Sequence, residues 1–103
     1  MSTEVRDVVE ADPQHYTVAL ENERVRVIRI RYGPGERSVM HSHPLDSVGV
    51  FLTDAHVRFT YPDGQTEELR EQAGQVLWFP PVTHLPENLS DQPLELLQIE
   101  LRG

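Results

Sequence analysis

Two histidines separated by a single residue, His41 and His43, have the clearest potential for chemistry in this sequence. Side chains alternate across a β-strand, so on a strand both imidazoles project to one face while Ser42 projects to the other. Two imidazoles placed this way can bind one metal ion. The pair is also typical of an exposed strand that carries polar residues, and a metal site needs a further ligand from elsewhere in the chain.

The elements that would position this pair are predicted to be short strands. Past Pro13 the chain alternates between β-branched or aromatic runs and turn residues, a pattern typical of a sandwich or a small barrel. A hairpin turn is predicted at Pro62 to Gly64, because Asp-Gly supplies the positive φ angles that tight turns need. We expect about nine strands in an all-β antiparallel barrel or jelly roll, whose interior holds one small ligand.

The composition narrows both the chemistry and the partners. The 103 residues predict one domain, a barrel over 14–103 preceded by an N-terminal arm over 1–13. A formal net charge of −8 argues against nucleic acid and anionic membranes as partners, since both require a basic surface. The chain has neither Lys nor Cys, which excludes Schiff-base chemistry, thiolate ligands and a cysteine nucleophile. With no long apolar run, a cytoplasmic protein that binds a small molecule is expected.

Further residues at regular spacing extend the histidine pair into two motifs, and in these motifs the sequence resembles the cupin family. The family's first motif, G-x5-H-x-H-x3,4-E-x6-G, is matched by Gly35, His41 and His43. Its second motif, G-x5-P-x-G-x2-H-x3-N, is matched by Gly74, Pro80, His84 and Asn88, with one residue fewer before the histidine. The resemblance extends from about Gly33 to Leu101.

The resemblance implies a small single-domain metalloprotein with a double-stranded β-helix, a conical jelly-roll barrel whose two motifs face each other across a cavity. It also implies that His41, His43 and His84 bind one divalent transition metal. Imidazole suits Fe, Zn, Ni and Cu, and Mn is a further candidate. Three neutral nitrogen ligands leave positions open for water, dioxygen or substrate. A homodimer is expected from the same resemblance.

The sequence departs from the family where a metal-binding carboxylate is expected. That acid would fall at position 47 or 48, where the chain has Ser47 and Val48, and Asp46 comes one residue early. A shift of one residue on a strand turns the side chain to the other face. Asp46 is therefore a candidate fourth ligand only if the turn at 44–45 reorients it; otherwise it has a surface, turn-capping or ligand-supporting role. Without a carboxylate, a divalent site keeps a charge of +2 and favours an anionic substrate.

The other histidines and the large aromatic residues have less specific interpretations. His56 is interpreted as part of a solvated strand face, and His15 as a residue of a strand edge or dimer surface. The aromatic residues are assigned to the core, where one or two of them would line the cavity; they are Tyr32, Phe51, Trp78 and Phe79.

Polar residues in two predicted strands are candidates for the barrel interior. In the second predicted strand the apolar residues move from one face to the other midway along the strand. This indicates either a bulge near Val27 or partial burial of both faces against a second subunit. Without a bulge, Arg24 or Arg26 points inward to clamp a carboxylate, the alternative being a surface ion pair. In the last strand, Gln98 or Glu100 is expected to project into the cavity.

The leading functional interpretation is a metal-dependent enzyme that acts on a small organic molecule. A three-histidine site resembles that of cupin oxygenases, which favours an oxygenase over the isomerases and lyases of the family. The main alternative is a non-catalytic cupin that binds or senses a metal or a metabolite.

Overall fold

Two sheets of antiparallel strands face each other in the computed structural model of the protein, which describes residues 6–103. One short helix, α1 (Val8–Ala11), precedes the strands. In chain order the strands are β1 (Tyr16–Glu21), β2 (Val25–Tyr32), β3 (His41–His43), β4 (Ser47–Phe51), β5 (Ala55–Thr60), β6 (Thr66–Glu71), β7 (Val76–Phe79), β8 (Val82–Asn88) and β9 (Leu94–Leu101). The predicted all-β architecture is confirmed.

The chain crosses repeatedly between the two sheets. One sheet has the strand order β1-β2-β9-β4-β7, and the other has the order β3-β8-β5-β6. Burial alternates along the inner strands, as in Ser47, Gly49 and Phe51 of β4, because every second side chain faces the opposite sheet. The interior between the sheets therefore collects side chains from both halves of the sequence.

Strand β8 is difficult to predict from the sequence, because residues typical of turns precede it and lie within it. Two prolines, Pro80 and Pro81, end β7, and Pro86 lies within β8 itself, so the sequence pattern there is typical of a loop. In the structure β8 pairs with β3 through its first residues and with β5 through its last four. Pro86 lies just past the point where the pairing with β3 ends.

The apolar pattern of β2 is explained by an inward-facing arginine. Eight consecutive pairs, from Val25 with Leu101 to Tyr32 with Leu94, join β2 to β9 without a register shift. The bulge lies instead in β1, across from Val27, where the pairing with β2 shifts. Arg26 therefore occupies an inward position of a regular strand, and of the two alternatives for this strand a bulge in β2 is wrong.

The first described residues pack onto the barrel. Asp7 accepts a hydrogen bond from the backbone of Val9 at the start of α1, and Val8 is fully buried. Asp7 also forms a parallel bridge with Ser42, and Ser42 donates its backbone N–H to the carbonyl of Arg6 at 3.0 Å. This segment falls within the predicted arm; residues 1–5 lie outside the described residues, and the boundary at residue 13 stays a prediction. No helix within 6–103 is long and apolar enough to cross a membrane.

The outer face of the five-stranded sheet carries a row of apolar side chains. Cross-strand partners connect, in order, Leu20, Val27, Ile99, Val48 and Trp78. These five residues are called the apolar row below. Paired residues on neighbouring strands project to the same side, so the row crosses all five strands. Trp78 is 57% exposed, and its predicted place in the core is wrong, because the alternation of β7 turns Leu77 and Phe79 inward instead.

Gly49 is required where Phe79 crosses β4. A Cβ atom at Gly49 would lie 2.4 Å from the Phe79 ring, closer than carbon atoms approach. We expect Gly49→Ala to lower the free energy of unfolding by roughly 1–3 kcal/mol, because the ring has to move within a packed interior. Urea unfolding measures the loss. In a Phe79→Leu background the same substitution should cost less, and an equal cost in both backgrounds would contradict the steric explanation.

Candidate metal centre

The pairing of β3 with β8 brings the three motif histidines together. His41 and His84 are direct cross-strand partners, and His43 lies two residues along β3 on the same face. One ring nitrogen from each histidine lies within 4.8 Å of the others, and the Nε2 atoms of His41 and His43 are 3.0 Å apart. All three side chains are buried. Two motifs far apart in the sequence thus form one cluster of imidazoles.

The spacing and the chemistry of these nitrogens fit a metal ion. Two nitrogens that bind one ion at 2.0–2.1 Å are separated by about 3.0–3.4 Å, which agrees with the contact between His41 and His43. The Nδ1 of His41 lies 2.9 Å from the carbonyl of Val39, which can only accept, so Nδ1 carries the hydrogen and Nε2 keeps its lone pair. His43 Nε2 is then the donor to His41 Nε2. An ion bound between them would replace that hydrogen.

Burial keeps the three imidazoles neutral, as metal ligands must be. Burial is the largest cause of the lowered pKa in each case, which is about 4 for His41, about 3 for His43 and about 2 for His84. The neighbouring imidazoles lower the pKa of His43 and His84 further. For His41 the Val39 carbonyl and the charge of Asp12 act in the opposite direction. At neutral pH the cluster presents lone pairs rather than positive charge.

The structure leaves Asp46 outside this cluster. Asp46 is exposed, whereas the histidines are buried, and it lies between a bend at Leu45 and the first residue of β4. Ser47, at the position of the family's acid, is fully buried and faces inward, where its Oγ accepts a hydrogen bond of 2.9 Å from Gln98. The Asp46 carboxylate therefore lies on the surface, where the alternation of the strand places it.

The two remaining histidines differ from each other. His56 is partly exposed and contacts Glu68 at 2.7 Å, in keeping with a solvated strand face. His15 is buried, with Nδ1 2.8 Å from Asp12 and Nε2 3.2 Å from Glu36. The interpretation of His15 as an edge or surface residue is wrong, because the segment before β1 folds over it.

Arg26 faces the interior but binds the protein's own carboxylates. Its Nε donates to Glu100 at 2.5 Å, and its terminal nitrogens donate to Asp7 at 2.8 and 3.1 Å. The hydrogen bond to Glu100, followed by that to Asp7, raises the pKa of Arg26. Glu100 is fully buried, and its second oxygen has no partner among the described residues. Arg26 is thus engaged and does not serve as a clamp for a substrate carboxylate.

A cavity of about 60 Å³ opens beside the cluster. His43 and His84 form part of its wall, and Phe59 stacks on His84 with ring centroids 4.8 Å apart. Most of the remaining wall is apolar; it includes Ile30, Phe51, Val57, Leu69, Phe79 and Leu96. The other polar groups in the wall belong to Tyr16, Tyr32 and Gln98. Gln98 therefore reaches the cavity, as expected of the last strand.

Two phenols share one hydrogen bond at the wall of this cavity. The hydroxyl groups of Tyr16 and Tyr32 are 2.5 Å apart, and either one can be the donor. The ring of Tyr16 packs against His41, with ring centroids 5.0 Å apart. Burial raises the pKa of both phenols, which stay protonated at neutral pH. One hydroxyl hydrogen is consequently left for another acceptor.

The buried histidines predict acid sensitivity of the metal-free protein. Below pH 6.5 the unfolded chain binds protons at these positions, whereas the folded chain binds them only near pH 4 or lower. Stability is therefore complete above pH 6.5 and falls with pH, by up to about 1.4 kcal/mol per pH unit for each histidine. Thermal unfolding after chelation should show this decline between about pH 6.5 and 4. His84→Gln should flatten it, and an unchanged slope would contradict the assignment.

Solved structures provide the comparison with known proteins. A crystal structure of a cupin domain from Bordetella pertussis Tohama I is 26% identical to this chain with a TM-score of 0.79, and the match covers 99% of this chain and 100% of that one. A protein with a double-stranded β-helix domain from Klebsiella pneumoniae is 18% identical with a TM-score of 0.67, and the match covers 99% and 92% of the two chains. No protein-family model and no curated protein matches the sequence.

A larger protein contains a similar unit. Bacillus subtilis oxalate decarboxylase, studied for its Mn(II) centres, is 23% identical with a TM-score of 0.60 over 78% of this chain, which spans only 22% of that protein. The fold of this chain and the strands on which its motif histidines lie agree with what the two cupin motifs of the sequence imply. The predicted double-stranded β-helix is confirmed, and the chain has the fold of small single-domain cupin proteins.

Proposed function

We propose that this cupin is a metal-dependent enzyme that binds one divalent transition metal through His41, His43 and His84. The convergence of three neutral, buried imidazoles, two of which form part of the wall of a cavity, is the observation that carries the proposal. The donor set suits Zn, Fe, Ni and Cu, and the Mn(II) centres of oxalate decarboxylase add Mn to the candidates.

An oxygenase reaction on a small organic molecule suits this site best. A redox-active divalent ion supplies Lewis acidity and electron transfer to dioxygen. The chain contributes apolar walls that exclude water, and the free hydroxyl hydrogen of the Tyr16 and Tyr32 pair donates to a substrate oxygen. Because the sequence contains neither Lys nor Cys, a lysine or cysteine side chain cannot act as a covalent nucleophile.

The cavity restricts the substrate. A volume of about 60 Å³ accommodates roughly four to six water-sized groups, given about 10–15 Å³ for each. No Arg side chain lines the cavity within the described part of the chain. An anionic group of the substrate, such as an enolate or carboxylate, therefore binds at the three-histidine site, and its apolar portion lies against residues such as Phe51 and Leu96.

A non-catalytic protein that binds or senses a metal or metabolite is the second candidate. Among residues 6–103, no carboxylate lines the cavity. Isomerases and lyases generally move protons with an acid and a base. A cavity wall without a carboxylate therefore favours ligand binding over those reactions. The phenols and the three imidazoles suffice for recognition of a small ligand.

Metal content and oxygen uptake test the proposal. Protein purified without added metal should contain about one ion per chain, and His84→Gln should lower the content at least tenfold, because one of three ligands is lost. His56→Gln, which removes an imidazole from the partly exposed face of β5, is the matched control and should retain the metal. Iron with substrate-dependent oxygen uptake on diketones, thiols or hydroxy acids is expected for an oxygenase.

Other outcomes decide between the candidates. Tightly bound zinc without turnover of any substrate in the panel would favour the binding protein. Undiminished metal in His84→Gln would place the ion elsewhere and contradict the three-histidine site.

We also propose that two copies associate through the outer face of the five-stranded sheet. The apolar row lies at the centre of this face, and Leu20 and Trp78 at its two ends are 51% and 57% exposed. Ion pairs of Arg29 and Arg31 with Glu95 flank it. An apolar centre with a polar rim is typical of interfaces, and a sheet face packs readily on its own copy. These flanking residues are two arginines and one glutamate, so they add no net negative charge to this face.

The single tryptophan reports on this association. Dilution of a dimer should expose Trp78 and shift its emission to longer wavelength, with a parallel decrease in mass by light scattering. Trp78→Asp should give a monomer at all concentrations, while Val39→Asp, at an exposed hydrophobic residue between β2 and β3 and outside the five-stranded sheet, should leave the dimer intact. A monomeric wild-type protein at high concentration would contradict the proposed interface.

A further inference from the structure

We propose that Asp12, supported by His15 and linked through Ser38, holds His41 in its metal-binding orientation and supplies the negative charge that the family's missing motif carboxylate would provide. The inference rests on the proposed three-histidine metal site. Asp12, His15 and Ser38 are called the buried relay below; in this relay each is a positioning residue that acts through another.

The relay ends on a metal-ligand histidine. Ser38 Oγ donates to Asp12 Oδ2 at 2.5 Å, so its single hydrogen is committed to the carboxylate. The same Oγ lies 3.2 Å from Nδ1 of His41 and faces it as an acceptor. The Nδ1 hydrogen is therefore held between Ser38 and the carbonyl of Val39, and Nε2 is directed to the cluster.

Asp12 is an acid of the protein interior. The residue is 7% exposed, and its Oδ2 accepts hydrogen bonds from both Ser38 and His15. A buried carboxylate is costly unless it is hydrogen-bonded, and Asp12 has hydrogen bonds from two side chains. This negative charge lies behind His41, on the side away from the cluster. Asp12 polarises the imidazole through Ser38 and so strengthens its nitrogen as a ligand.

His15 fixes Asp12 from the other side. Its ring nitrogens face two carboxylates, with Nδ1 at 2.8 Å from Asp12 and Nε2 at 3.2 Å from Glu36, and the ring stacks on Tyr32. Glu36 is itself held by the backbone N–H of Gly33. The series of contacts thus runs from a partly exposed carboxylate, through the relay, to the back of a metal ligand.

The relay compensates for the departure at Ser47. Three neutral imidazoles leave a divalent ion with a charge of +2, which a motif carboxylate would reduce by one. Ser47 brings no charge, and Asp46 is exposed at the surface. Asp12 brings one negative charge to the site through His41, while the open coordination positions stay free for substrate.

Metal affinity of matched variants tests the relay. Asp12→Asn keeps the shape of the side chain and removes its charge, and Asp91→Asn makes the same change at an exposed residue outside the buried relay. Competition with a chelator for Co²⁺ or Zn²⁺ should show affinity roughly 10- to 100-fold weaker for Asp12→Asn. The affinity of Asp91→Asn should stay within about twofold of the wild type. Ser38→Ala, which removes only the link and keeps the contact of Asp12 with His15, should weaken affinity in the same direction.

A second measurement separates positioning from folding. In metal-free protein, ¹⁵N spectra should show the His41 hydrogen on Nδ1, and Ser38→Ala should perturb that resonance. A lower melting temperature of Asp12→Asn or Ser38→Ala with unchanged metal affinity would overturn the relay and leave only a structural role. If the wild-type protein binds no metal at all, both the proposed function and this inference fail, whereas unchanged affinity in the variants overturns the inference alone.

Discussion

The antiparallel register between β3 and β8 is the constraint on which the rest of the site depends. It places His41 opposite His84 although 43 positions separate them in the chain. A register shift of one residue would turn His84 out of the barrel and leave His41 and His43 without a third imidazole. The pairing of β8 with β5 on its other side holds this register, because β8 cannot slide along one neighbour without breaking its bonds to the other.

The charged side chains of the interior lie apart from the cavity surface. Arg26 is paired with Asp7 and Glu100, and Asp12 is hydrogen-bonded by His15 and Ser38, so the buried charged side chains lie within the wall of the barrel. The cavity itself keeps an apolar surface with a few hydroxyl, amide and imidazole groups. Electrostatic interactions in such a dry site are stronger than in water. The result is a small apolar space whose few polar groups belong to phenol, amide and imidazole side chains.

Much of this arrangement was predictable from local patterns. The alternation of β-branched residues predicted the all-β fold, and the motif spacing identified His41, His43 and His84. Both predictions depend only on short stretches of sequence. The side on which Trp78 lies was not predictable, since alternation in β7 gives two apolar faces and only the tertiary structure decides which one is buried. Strand β8 was not predictable, because prolines are typical of turns and strand ends. The position of Asp12 was also not predictable, because its contact with Ser38, and through Ser38 with His41, depends on how the segment before β1 packs onto the barrel.

The packing of residues 6–12 has a consequence for where the functional unit begins. Strand β3 has three residues and lies at the edge of its sheet, yet it carries two of the three histidines. Arg6 and Asp7 lie along that edge at Ser42 and cover backbone groups that would otherwise be open to pairing with another chain. A shortened protein beginning after Pro13 would retain every strand of the barrel. It would nevertheless uncover this edge, release Arg26 from Asp7 and lose Asp12, so the minimal fold and the minimal site do not coincide.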